Sequence, residues 1–160
     1  MVHSLEQIVN LCSDVTNNSK EIKKGSLFLA LPGKAFDGRN YISEAIKNGA
    51  SAIIYEKKDF KLKDQIFIPH LGIENLHKQQ AKIIKSFFTN PSKSLKIIGI
   101  TGTNGKTSVA GWLSQSLNLL NCKAGIIGTL GYEVLGKKIK TLNTTPDIIS
   151  LSNMLNNAVH

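Results

Sequence analysis

Arginine is almost missing from this sequence: Arg39 is the only one among 20 basic residues, which face 11 acidic ones and leave a formal charge of +9. A surface built to grip a nucleic-acid backbone gathers its cations into a stripe and favours the forked guanidinium. Here the lysines are scattered along the whole length, and the longest basic runs are pairs such as Lys23-Lys24 and Lys137-Lys138. That pattern excludes a nucleic-acid partner. Cysteine is equally scarce. Cys12 and Cys122 lie far apart with no metal-type spacing and no histidine nearby, so neither a disulfide framework nor a thiolate metal site is expected. Long apolar runs are lacking too. No stretch approaches the ~20 residues of a membrane span, and Met1-Val2-His3-Ser4 leads into an amphipathic segment, not a charged tip followed by an apolar block. The expectation is a cytosolic protein with no membrane partner. Nothing in the composition bears on oligomeric state.

What is present is a chain of 160 residues, 41% hydrophobic, enough for a buried core and for one domain or one and a half. "SLEQIVNLC" sets Leu5, Ile8, Val9 and Cys12 at helical spacing behind a Ser4 cap with Gln7 three residues on. "KKGSLFLAL" turns at a glycine into an apolar run over 27–31, the pattern of a strand covered on both faces. "YISEAIKNGA" reads as a helix ending at Gly49, "SAIIYE" as a second buried strand, and "QIFIP" as a third. The helical "NLHKQQAKIIKSFF" then stops at Asn90-Pro91. Strands alternating with helices predict an α/β domain over residues 1–90, with "TNPSKS" as the joint.

A second α/β unit is expected over 91–160: strand 95–100, a turn, a helix from Lys106 to about Leu120, and strand 124–128. "GYEVLGKKIKTL" can form a hairpin around Gly136, and Thr145-Pro146-Asp147 offers a cap, a first-turn proline and an acid for a last helix. These elements are too few to close a sheet of ~5 strands, so the unit reads as the front of a larger domain.

The chemistry concentrates at "IIGITGTNGKTSVAG". A strand feeding a Gly-rich turn into a helix start gathers unpaired backbone N–H groups and the positive end of the helix dipole at one point, which favours an anion. Gly102 and Gly105 allow close approach, Lys106 brings a charge that reaches β- and γ-phosphates, and the Thr107 hydroxyl can hold Mg²⁺. Thr103, Asn104 and Ser108 complete the expected nucleotide loop, with ATP as its ligand. The generic pattern needs glycine five residues before Gly105, where Ile100 stands, so this is a shorter variant.

That variant, "TGTNGKTSVAGWL", resembles the ATP loop of the Mur ligase family and its relatives, the folylpolyglutamate synthetases. Upstream, "NSKEIKKGSLFLALPGKAFDGRNYISEAIKNGASAIIYE" is similar to the family's opening domain, whose pattern runs Asp-Ser-Arg, a Gly turn, a hydrophobic strand, a loop to Asp-Gly, a helix and Gly-Ala. Downstream, "GTLGYEV" and "NTTPD" resemble the branch that adds the third amino acid, diaminopimelate or lysine, to UDP-N-acetylmuramoyl-L-Ala-D-Glu; another branch carries Asn-Asn-Glu in that place. The resemblance implies a small UDP-binding α/β domain followed by the start of a P-loop domain. It also implies ATP-dependent amide-bond formation in peptidoglycan precursor synthesis, in which a γ-carboxylate becomes an acyl phosphate that an amine then attacks.

By the same resemblance Ser19 lies near the UDP group, Lys34, Ala35 and Phe36 surround the uracil, and Asn143, Thr144 and Thr145 meet the sugar nucleotide near the ATP site. Thr145 caps the last helix whether or not it binds, Asp37-Gly38-Arg39 is a turn or a ligand contact, and Asp147 serves a helix start or a magnesium ion. Two departures stand out. Asn18-Ser19-Lys20 replaces Asp-Ser-Arg, and Lys34-Ala35 replaces the His and Gln common in the uracil loop. The family's later magnesium carboxylate, carbamylated lysine and C-terminal domain have no counterpart here, so the expected behaviour of these 160 residues is binding without turnover. Two other readings stay open: another amide ligase of the superfamily, or a non-catalytic nucleotide-binding module.

Overall fold

The computed structural model describes residues 4–33, 36–62, 66–88, 93–134, 137–139 and 146–159, and the chain divides into two compact units, Met1–Thr89 and Asn90–His160.

The first unit opens with helix α1, Leu5–Asn10. Ser4 and Gln7 form the expected capping box: the Ser4 hydroxyl accepts the Gln7 N–H at 3.2 Å, and the Gln7 side chain accepts the Ser4 N–H at 2.8 Å. Strands β1 (Asp14–Thr16), β2 (Ser26–Ala30), β3 (Ala52–Glu56) and β4 (His70–Ile73) then form one sheet in the order 1-2-3-4, every pair parallel. All five residues of β2 are buried, as a central parallel strand covered on both faces requires. Helix α2 (Ile42–Lys47) packs on β2 and helix α3 (Leu76–Lys85) on β3. Phe28, Ala30, Ile42, Ala45, Ala50 and Ile53 make a core cluster, in which fully burying a side chain the size of Phe or Ile contributes about 1.5–3 kcal/mol.

Two expectations are corrected here. The third apolar strand is His70–Ile73 and not "QIFIP". Pro69 has no N–H to give a ladder, and what it supplies is a carbonyl that accepts the Ile53 N–H at 3.0 Å; Phe67 before it is 89% exposed. Helix α3 ends at Lys85 with Ser86 as its C-cap, short of Asn90 and Pro91, which lie outside the described residues.

The second unit contains helix α4 (Lys106–Leu119), strands β5 (Gly125–Gly128), β6 (Gly131–Val134) and β7 (Lys137–Ile139), and helix α5 (Ile148–Val159). Residues 95–100, expected as a strand, have no ladder partner among the described residues; Ile97 and Ile98 are 64% and 60% exposed. An apolar run becomes a strand only when a neighbour takes its N–H and C=O groups, and β5 pairs instead with β6. That pairing is antiparallel, with Gly128 opposite Gly131 across a two-residue link, and Gly131, the first residue after the link, takes a positive φ of +100°, a conformation that favours glycine. The sheet is thus an antiparallel meander, β5-β6-β7. Gly136 and the rest of the expected second turn lie outside the described residues.

The last helix starts two residues later than expected, at Ile148, and Asp147 caps it: its Oδ1 accepts the N–H groups of Ile149 and Ser150 at 2.9 and 3.1 Å, and its Oδ2 accepts the Ser150 hydroxyl at 2.6 Å. Thr145, expected as the cap, lies outside the described residues. Tyr132, 5% exposed, donates its hydroxyl to the Met154 carbonyl at 2.9 Å and ties β6 to α5. Burial raises its phenol pKa above the ordinary value.

Candidate functional site

In the second unit the nucleotide loop forms as a glycine-hinged turn. Gly102 and Gly105 have φ of +149° and +75°, conformations that a Cβ disfavours. Gly105 is the N-cap of α4 and brings no side chain to it, so the first-turn N–H groups and the positive end of a 14-residue helix are left to an outside acceptor. A Cβ built on Gly105 meets nothing within 4 Å, so the space before the helix is open. The Lys106 ammonium folds back over the loop and donates to the carbonyls of Gly102 and, at 3.1 Å, Thr103. Residues 101–109 are exposed throughout, Thr103, Asn104, Thr107 and Ser108 among them. Backbone donors, an open approach and an ammonium fit the phosphates of a nucleotide, and Thr107 is an exposed hydroxyl on the first turn of α4. Among the described residues no group of three or more His, Cys, Asp or Glu is placed to hold a metal by itself.

In the first unit the parallel order carries every strand end to one edge. Ser19 follows β1, the loop to Arg39 follows β2, and Lys57 to Phe60 follow β3, all at the carboxyl edge where parallel sheets take ligands. Ser19 starts a 3-10 turn, Ser19–Glu21, and is only 6% exposed. Asn18 caps that turn by accepting the Lys20 N–H at 3.1 Å and donating to Glu21 at 2.9 Å, so the amide does the cap work of the Asp it replaces. The Ser19 hydroxyl donates to Glu44 at 3.1 Å, and Asn48 donates to the Ser19 carbonyl at 2.9 Å. The loop after β2 is closed at its neck by Gly38, whose N–H meets the Leu31 carbonyl at 2.8 Å. Phe36 stands 74% exposed on it.

Asp37, Gly38 and Arg39 act within the fold. Asp37 accepts the Arg39 N–H at 3.0 Å, capping the 3-10 turn Gly38–Tyr41, and its carboxylate takes the guanidinium at 2.7–3.1 Å. Those hydrogen bonds hold the Asp37 carboxyl below the usual range and raise the Arg39 pKa. The remaining Arg39 nitrogen donates to the Lys58 carbonyl at 2.9 Å, and the guanidinium lies 4.8 Å from the centre of the Phe60 ring. Each of its three nitrogens thus donates within the fold, and one face of the guanidinium lies on an aromatic ring.

Of the residues expected to bind, Gly102 to Ser108 form a turn and the first residues of α4, and Ser19 and Phe36 follow neighbouring strands of one sheet. Lys34, Ala35, Asn143, Thr144 and Thr145 lie outside the described residues. Glu44 was not anticipated: a carboxylate in a helical "SEAI" gives no sign of the serine 25 residues earlier that it holds. Cys12 is a free thiol whose pKa burial pushes up to about 11.

Comparison with known proteins decides the family. The profile for the Mur ligase family, catalytic domain, matches residues 13–87, and that for the Mur ligase middle domain matches residues 100–160. The chain belongs to the Mur ligase family. A UDP-N-acetylmuramoyl-L-alanyl-D-glutamate--2,6-diaminopimelate ligase from Coxiella burnetii is 43% identical over 141 residues, 88% of this chain and 29% of that protein. A protein of the same name from Nitrosomonas europaea is 39% identical over 143 residues, 89% and 27%. Among solved structures, one of a ligase with that name superposes with a TM-score of 0.68 at 22% identity, over 99% of this chain and 34% of the other. A MurF ligase from Thermotoga maritima, solved in complex with ADP, gives 0.58 at 26%, over 92% and 30%. The chain therefore spans under a third of the length of these curated Mur ligases. Its mixed α/β fold with a parallel first sheet is that of the Mur ligases.

Proposed function

We propose that this chain carries the sugar-nucleotide domain and the ATP loop of a ligase that joins 2,6-diaminopimelate to UDP-N-acetylmuramoyl-L-Ala-D-Glu. The observation that carries the reading is that relatives named for this reaction match through both units, at 36–43% identity. Diaminopimelate takes precedence over lysine because those names specify it. Bound ATP supplies a phosphoryl group that turns the γ-carboxylate of D-glutamate into an acyl phosphate, ADP leaving; the incoming amine then forms the amide as phosphate departs.

In this reading the chain's own residues bind and orient. The N–H groups from Gly102 to Ser108 cradle the phosphates, Lys106 leaves its two loop carbonyls to meet the γ-phosphate, and Thr107 holds the accompanying Mg²⁺. Ser19, the 34–36 loop and residues 143–145 take the sugar nucleotide. Asp147 accepts three hydrogen bonds at the helix start, which supports the capping role over a magnesium ligand. A cytoplasmic location belongs to the same reading; among the described residues no helix is long and apolar enough to cross a membrane.

The test is calorimetric titration of residues 1–160 with UDP-N-acetylmuramoyl-L-Ala-D-Glu, with UDP and Mg-ATP run separately. Binding of both the muramoyl dipeptide and Mg-ATP, without turnover on adding diaminopimelate, is expected. Silence from the uridine ligands beside a clear ATP signal would redirect the reading to a folate-type ligase or a nucleotide-binding module.

A further inference from the structure

The Ser19 hydroxyl has one proton, and it points at a carboxylate. Ser19 Oγ donates to Glu44 Oε2 at 3.1 Å, while Asn48, the C-cap residue of α2, anchors the same serine through its carbonyl at 2.9 Å. Two groups on α2 thus fix a residue at the carboxyl edge of the sheet, and Ser19 is 6% exposed, where an unmatched polar atom is costly. A hydroxyl that has given its proton away retains only lone pairs. A phosphate oxygen, itself an acceptor, finds no proton there and meets the Glu44 charge besides.

We propose that Glu44 is a positioning residue that turns Ser19 into a pure acceptor, so that a uridine nucleotide meets Ser19 with a donor of its own, the imide N–H or a ribose hydroxyl, and not with its phosphates. The proposal rests on the sugar-nucleotide reading of this domain and adds to it which end of the ligand lies at Ser19. The phosphates then lie away from Glu44, and the base or ribose lies at the foot of the edge. The two donor sources share one chemistry, and ligand analogues separate them.

The experiment is calorimetry on residues 1–160 with UDP, N3-methyl-UDP and 2′- and 3′-deoxy-UDP, for the wild type, Glu44→Gln and Ser19→Ala. In the wild type, removal of the donor that Ser19 accepts is expected to weaken binding about tenfold, and that penalty should fall to about twofold or less in either variant. A purely structural role for Glu44 would weaken UDP and every analogue by one common factor, and that result overturns the proposal. So does an unchanged penalty in Ser19→Ala. If wild-type protein binds none of the uridine nucleotides, the sugar-nucleotide reading fails and the proposal fails with it; UDP binding with uncoupled analogues sinks the proposal alone. Melting curves for each variant show whether the fold is intact, and Ser19→Ala decides the matter should Glu44→Gln not fold.

Discussion

Leu76 donates its backbone N–H to the carboxylate of Glu56 at 2.8 Å, so a residue at the end of β3 caps a helix that starts 20 residues later. Asn75, the N-cap residue of α3, sits in the left-handed region at φ +55° and makes no side-chain cap; its own N–H also goes to Glu56, at 3.2 Å, and the Lys58 N–H joins at 3.1 Å. Burial alone would raise the Glu56 pKa, but the three N–H donors, with Arg39 nearby, outweigh it and leave the value below the ordinary one. A lowered native carboxyl pKa means stabilisation that is present above the unfolded pKa and lost as pH falls through the native one. Glu56→Gln is therefore expected to cost about 1–3 kcal/mol at neutral pH. The loss should shrink as both proteins are taken into the acid range, which urea titrations at a series of pH values would measure.

Arg39 joins the loop after β2 to the turn after β3, through Asp37 on one side and the Lys58 carbonyl and Phe60 ring on the other. An ammonium cannot form the fork and lie flat on the ring at once. Arg39→Lys should accordingly recover little of what Arg39→Ala loses, with each variant less stable by about 1–2 kcal/mol in denaturant titration. Full rescue by lysine would mean that charge alone matters here.

A Cβ on Gly38 would lie 2.8 Å from the Leu31 carbonyl oxygen and 3.0 Å from the Leu31 nitrogen, both backbone atoms that cannot step aside. Gly38→Ala should force open the neck that the Gly38 N–H closes, at a cost of about 1–3 kcal/mol. On the proposed sugar-nucleotide reading, in which Phe36 on that loop faces the uracil, uridine-nucleotide affinity should fall with it. An alanine variant with wild-type melting temperature and affinity would show that the neck is free to shift.

Local signals were legible in the sequence wherever the deciding partners are neighbours in the chain. The Ser4–Gln7 box, the buried runs of β2 and β3 and the glycine-hinged start of α4 are all such cases. What escaped depends on partners far along the chain. Strand β1 has only three residues, too few for a period, and exists because Val15 lies opposite Leu27. "QIFIP" is more apolar than "HLGI", yet Pro69 and the register of β3 select the latter. The 95–100 run has strand composition but no ladder partner among the described residues. In the candidate site the glycines, lysine and threonine of the loop announce their chemistry by type and spacing, whereas the Glu44 bond to Ser19 and the Arg39 bond to Lys58 do not, since those partners lie 25 and 19 residues away.

Lys106 is an exposed side chain whose described contacts are two carbonyls of its own loop, so removing it should leave the fold almost untouched. Its loss matters when phosphates arrive: the ammonium is the one charged side chain in the loop 101–108, and the helix N-terminus contributes only partial charge. Lys106→Ala is expected to lower Mg-ATP affinity at least about tenfold, the scale of one charge-assisted hydrogen bond, with a melting temperature and a UDP affinity equal to the wild type's. The same change should weaken Mg-ADP less, because a lysine at this position reaches the β- and γ-phosphates and ADP offers only the first of them. Calorimetry with the two nucleotides measures both effects. Equal losses for ATP and ADP would place the ammonium at the β-phosphate, and no loss for either would remove Lys106 from the site.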